Sequence, residues 1–132
     1  LYDLLLEFLH INEIPDGPLF LRDYGINRGE RRRRYKNHKS LKVNFLMNFY
    51  EESNFVFIGD ATEEDIDIYL EAYNHNPDRV IQIFIRETKS NKDNQRIKRI
   101  ANQNPKAPIH LISKSSEITS VMNQYNRELK TN

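Results

Sequence analysis

The stretch FVFIGDATEEDIDIYLEAYNHNPDRVIQIFIRE, residues 55–87, reads as strand, helix, strand. Four apolar residues, Phe55 to Ile58, run into Gly59 and Asp60. At the other end, RVIQIFIRE (79–87) is apolar at almost every position, as a strand covered on both faces should be. Between them Ile66, Tyr69, Leu70 and Tyr73 recur at helical spacing. Pro77-Asp78 then punctuates the chain. Thr62, with Asp65 three residues on, comes close to a capping box and is the expected N-cap. Two strands joined through a helix run parallel.

The same alternation extends outward. Leu1 to His10 predicts a helix, stopped within Asn12 to Pro18. PLFLRD (18–23) predicts a strand. From Tyr24 to Lys39 the chain is polar and basic, which reads as a surface loop. Leu41, Phe45, Leu46 and Phe49 then predict a helix over 39–52. Beyond the opening stretch come a weaker helix at 91–103, a strand APIHLIS (107–113), and a last helix capped by Ser115 or Ser116. In that last helix the stripe Ile118, Val121, Met122, Tyr125 and Leu129 reads as core packing. The order α-β-α-β-α-β-α-β-α predicts one α/β domain over 1–132, a Rossmann-like parallel sheet with helices on both faces. Ligands of such sheets sit beyond the carboxyl ends of the strands. That directs attention to Arg22-Asp23, Gly59-Asp60, Arg86-Glu87 and Ser113-Lys114.

Composition excludes several classes. With 132 residues, 38% hydrophobic and 30% charged, the chain is a globular sequence with room for one core. A net charge of +1 gives no global field toward nucleic acid or membrane. The lack of cysteine excludes disulfides and thiolate metal sites. No apolar stretch approaches the roughly 20 residues that span a bilayer. The opening residues do not have a signal-peptide layout.

Asp60 and Asp65 admit two readings. A glycine lets the backbone turn tightly at a strand end, and a carboxylate held there faces the cleft. A second carboxylate five residues on, in the first turn of the next helix, can return toward the same point. Mg²⁺ takes one or two carboxylates plus waters and substrate oxygens. Equally, acids in a first helical turn simply complement the helix dipole. Lys39 opens the expected helix 39–52, where an ammonium opposes the dipole, so its place calls for an anionic partner. The plain alternative is one more surface lysine. His38 reads as a turn or capping residue. Arg31 to Arg34 read as a solvated loop, with anion binding the rival.

These segments, in this order, resemble the catalytic domain of the magnesium-dependent phosphatidate phosphatases of the actin-patch type, within the haloacid dehalogenase superfamily. The resemblance rests on LYDLLLEFL, GPLFLRD, His38-Lys39, FVFIGDATEEDIDIY and PDRVIQIFIRE, and covers about residues 1–88. It implies phosphomonoester hydrolysis, phosphatidate to diacylglycerol, through an aspartyl-phosphate. It also implies Mg²⁺ as cofactor, Asp60 and Asp65 as its ligands, and Lys39 as the catalytic lysine that steadies the phosphoryl group. Arg22, Arg86 and His38 stand in matching segments as substrate-binding candidates. There are departures. Ala61 and Thr62 replace the usual Ser-Gly, and Glu87 replaces Asp. No Asp-x-Asp-x-Thr segment, which carries the superfamily's nucleophile, occurs in the 132 residues.

The expectation is therefore a piece of a phosphatase domain that lacks the nucleophile strand and is inactive alone. A sheet missing that strand would expose an apolar edge open to self-association. The expected partner is a phosphate ester, phosphatidate at a membrane surface, and not nucleic acid. The expected location is cytoplasmic and peripheral at membranes. The rival is a non-catalytic α/β module that binds anionic partners, a lipid headgroup or nucleic acid, through the basic loop 28–39. A phosphotransfer receiver is disfavoured, because its acceptor Asp and acidic pair are not evident in an early strand.

Overall fold

The computed structural model describes residues 2–20 and 31–132, the side chains of 31–37 excepted. The chain forms two compact units, Leu1–Arg33 and Arg34–Asn132.

In the first unit, α1 (Tyr2–Ile11) bears out the helix expected there. It ends because Glu13 takes a left-handed conformation, φ 52°. Glu13 N–H then donates to His10 O at 3.1 Å and Ile14 N–H to Leu9 O at 2.9 Å. That is a Schellman closure, with glutamate where glycine is usual. The strand expected over 18–23 is not seen. Residues 18–20 belong to no strand, and 21–23, with Arg22, lie outside the described residues.

The second unit carries the sheet. Strands β1 (Phe55–Asp60), β2 (Val80–Arg86) and β3 (Ile109–Ile112) run parallel in the order β1-β2-β3. The α/β, Rossmann-like reading is borne out: α2 (Arg31–Phe49), α3 (Asp65–His75), α4 (Asn91–Gln103) and α5 (Ser115–Thr131) flank this three-stranded sheet. Alternation along the strands fixes which residues share a face. Phe57, Ile83 and Ile85 meet Met47 of α2, Ile66, Tyr69 and Ala72 of α3, and Ile97 of α4 in one buried cluster. On the other face Phe84 is fully buried, and α5 lies against β3. The α5 stripe half-buries Ile118, Val121, Met122 and Tyr125 but leaves Leu129 58% exposed, so core packing ends before the last turn. Among the described residues no strand pairs with the outer edge of β1.

Two local expectations are corrected. The segment 31–38 is helix, not loop: α2 starts at Arg31, eight residues before Lys39, and ends at Phe49. Arginine and lysine are good helix formers, and polarity alone does not make a loop. Three carbonyls, one in the last turn of α2 and two in the chain just after it, are satisfied from a distance. The Arg79 guanidinium donates to Met47 O at 2.9 Å, Tyr50 O at 2.6 Å and Ser53 O at 3.1 Å. Thr62 is not the N-cap of α3, which begins at Asp65 after Glu64.

His110 on β3 makes a testable contribution to stability. Its Nε2 donates to Oε1 of buried Gln82 at 2.6 Å, and its ring stacks on Phe84 with centroids 5.3 Å apart. Burial holds His110 below its ordinary 6.5. As pH falls through 6.5, the unfolded chain takes up a proton that the folded chain resists, so stability declines. His110→Gln is expected to flatten that decline, as measured by urea denaturation across a pH series. An unchanged slope would contradict the assignment.

Candidate functional site

The site sits at the carboxyl ends of β1 and β2, the place where parallel sheets present ligands. Asp60 is the last residue of β1 and pairs in register with Arg86, the last of β2. Its carboxylate folds the following turn onto itself. Oδ1 accepts from Thr62 N–H at 2.8 Å, from Glu63 N–H at 3.3 Å and from the Thr62 hydroxyl. Thr62, expected as a helix cap, instead fixes this carboxylate. The Thr62 hydroxyl above all, with the N–H groups of Thr62 and Glu63 and the charge of Lys39 adding to it, holds Asp60 below its ordinary 3.8 although burial opposes the shift. Asp60 is therefore ionised at neutral pH.

Asp65 opens α3 and is 3% exposed. Its Oδ2 accepts the Asp60 N–H at 3.2 Å, and its Oδ1 pairs with Lys39 Nζ. The helix N-terminus adds favourable potential for this anion. Lys39 reaches it from α2, 26 residues earlier, with a side chain 28% exposed. Gly59 makes the approach possible. A Cβ built there would lie 2.6 Å from Asp65 Cβ and 2.7 Å from its Cγ. Gly59 has no positive φ, so it is needed for space and not for backbone freedom.

The structure thus brings Lys39, Asp60 and Asp65 together. Lys39 stands in the interior of α2 and not at a helix start, so the helix dipole does not account for its place. A buried counter-ion explains its place instead. Arg86 is exposed at the rim beside Asp60. His38 is exposed, about 100° round the helix from Lys39. Arg22 lies outside the described residues. Glu63 faces water, and Asp67 pairs with Arg96 of α4. Tyr69, expected only as part of an apolar helix face, lies against Lys39, with the ring centroid 5.5 Å from Nζ. Aromatic spacing on α3 gave no signal of that contact, because it depends on how α2 packs.

For a metal, two carboxylates are near at hand: Asp65 reaches back to the Asp60 backbone N–H, while the Asp60 carboxylate faces its own turn. Among the described residues no group of three or more His, Cys, Asp or Glu is placed to hold a metal ion. Asp60 commits one carboxylate oxygen to its turn, and Asp65 commits its two to Lys39 and to the Asp60 N–H. A donor set of one or two carboxylates fits Mg²⁺, which keeps waters and takes substrate oxygens.

Residues 1–87 match the family described as phosphatidate phosphatase APP1, catalytic domain. The chain belongs to that family. It is a phosphatidate phosphatase-like domain, and its family makes it a hydrolase. The match takes in α1 to β2, with all three clustered side chains, and stops before α4, β3 and α5. No curated protein and no solved structure matches the chain.

Proposed function

We propose that this APP1-type domain serves Mg²⁺-dependent hydrolysis of a phosphomonoester, phosphatidate to diacylglycerol, with Asp60 as metal ligand and Lys39 on the phosphoryl group. The observation that carries the reading is the convergence of Lys39, Asp60 and Asp65 where β1 and β2 end. Asp60 is kept ionised and supplies a hard oxygen. Asp65 joins it in holding the ion, while keeping the Lys39 ammonium beside the cleft. Lys39 neutralises charge on the phosphoryl oxygens as the transition state forms. The bound ion would polarise the phosphoryl group and lower the repulsion met by the incoming nucleophile. The nucleophile is a carboxylate that attacks phosphorus as the P–O bond to the alcohol breaks and a neighbouring acid protonates the leaving oxygen; water then cleaves the aspartyl-phosphate, releasing phosphate and the carboxylate. No Asp-x-Asp-x-Thr segment that would supply it occurs in these 132 residues, and we therefore propose that the chain by itself is inactive. Arg86 contacts the anionic substrate from the rim, and His38 and Arg22 are assigned substrate contacts by the resemblance alone. The substrate is met at a membrane surface, with the protein cytoplasmic and peripheral there. No helix among the described residues is long and apolar enough to cross a membrane. The outer edge of β1 is the surface for self-association.

Titration with Mg²⁺, followed by calorimetry or by amide shifts at Asp60 and Asp65, tests the reading. Asp60→Asn is expected to weaken the ion at least about tenfold, since it removes one formal charge from a two-carboxylate site. Equal affinity in the variant would remove Asp60 from the metal site. The chain alone is expected to give no Mg²⁺-dependent release of phosphate from a phosphate monoester, and measurable turnover would overturn its proposed inactivity.

A further inference from the structure

We propose that Tyr69 is a positioning residue for Lys39, aiming the ammonium at the anionic group of the substrate; the inference rests on the phosphatase reading of Lys39 given above. Tyr69 is 5% exposed and held on three sides. α3 carries its backbone. Phe57 stacks on its ring with centroids 4.6 Å apart and planes 7° from parallel. Its hydroxyl donates to Ile58 O at 3.0 Å. The ring is therefore rigid, and Lys39 Nζ lies over it at 5.5 Å from the centroid.

The ion pair with Asp65 does not by itself set a direction. An ammonium on a four-carbon stem is a compact charge with rotatable donors, and a carboxylate accepts over a wide arc. The ring face adds a second attraction from another side, through its quadrupole. It narrows the range of Nζ without adding a second negative charge that would cancel the cation. The hydroxyl matters for a separate reason. It ties the ring to β1 two residues before Asp60, so the lysine is referenced to the strand that carries the proposed metal ligand.

An ordinary core tyrosine would also be buried and stacked, so the test must read Lys39 itself. In the full chain labelled with ¹⁵N, the Lys39 ammonium resonance is assigned by its loss in Lys39→Met. Tyr69→Leu keeps an apolar side chain but removes the ring, and Tyr69→Phe keeps the ring. The expected result is that Tyr69→Leu moves or broadens the Lys39 resonance, whereas Tyr69→Phe leaves it near its original position. A folded Tyr69→Leu protein with an unchanged Lys39 resonance would overturn the proposal. If Tyr69→Leu does not fold, contacts between the Lys39 CεH₂ and the Tyr69 ring protons in the unsubstituted chain decide the matter, and their absence overturns it. Inorganic phosphate is the ligand probe. Its affinity is expected to fall about tenfold in Tyr69→Leu and less than about threefold in Tyr69→Phe, the range of a partly desolvated cation–ring contact. If Lys39→Met binds phosphate as well as the unsubstituted chain, or if that chain binds none, the phosphatase reading of Lys39 fails. The resonance data still judge Tyr69 independently.

Discussion

Gly59→Ala is expected to unfold the site and lower global stability by about 3 kcal/mol, the sum of an overpacked contact and a disturbed buried ion pair. The new Cβ would stand 2.6 Å and 2.7 Å from Asp65 Cβ and Cγ, well inside contact distance. A flexible surface side chain would swing aside. Asp65 cannot, because it is 3% exposed, sits in the first turn of α3, and is tied to Lys39 and to the Asp60 N–H. Either α3 shifts off the sheet or the carboxylate leaves its partners. Both outcomes strand the Lys39 ammonium. Thermal and urea denaturation measure the loss, and the Lys39 and Asp60 resonances locate it. A second substitution discriminates. Gly17→Ala meets nothing within 4 Å and is expected to stay near the parent's stability. Similar stability for Gly59→Ala would mean that Asp65 is not held where it is seen.

Three of the four expected strands were legible from sequence as apolar runs ended by glycine, proline or charge, whereas the similar run at 18–23 forms no strand over its described residues 18–20. β1 and β2 begin or end within a residue of the expected positions, and β3 is trimmed to Ile109–Ile112. The missed boundary is instructive. Helix recognition leans on an apolar period, and α2 has one only from Leu41 onward. Its first eight residues, RRRRYKNH (31–38), hold no apolar residue but Tyr35, so the sequence offers no helical period there despite good helix formers. The site divides along the same line. Gly59, Asp60 and Asp65 are close in sequence, and their meeting follows from a tight strand-to-helix turn. Lys39 and Asp65 are 26 residues apart, and their pairing is a consequence of α2 packing Met47 into the core beside Phe57. Arg79 shows the same limit. In the sequence it is the start of a strand, whereas in the fold its guanidinium closes the end of α2.

Asp65→Ala is expected to cost about 3 kcal/mol, because removing one member of a buried ion pair leaves the other without compensation. The lower end of the usual range applies. Lys39 retains 28% exposure and regains some hydration once its partner is gone. The more telling result is the double variant. Lys39→Met keeps the length and apolar stem of lysine but removes the charge. Alone it leaves the Asp65 carboxylate at 3% exposure with, among the described residues, the Asp60 N–H and the start of α3 to support it, and it too is destabilising. Together the two substitutions replace a charged pair by apolar contacts, which buried sites tolerate well. The double variant is therefore expected to lose less than the sum of the two single losses by more than about 1 kcal/mol. Urea denaturation of the four proteins supplies the cycle. Additivity within about 0.5 kcal/mol would mean that the two residues do not share an interaction. Under the proposed function, the recovered stability should come without recovered phosphate binding. A pair that stability can spare while ligand binding cannot is being kept for its charge, and the cycle separates that role from packing.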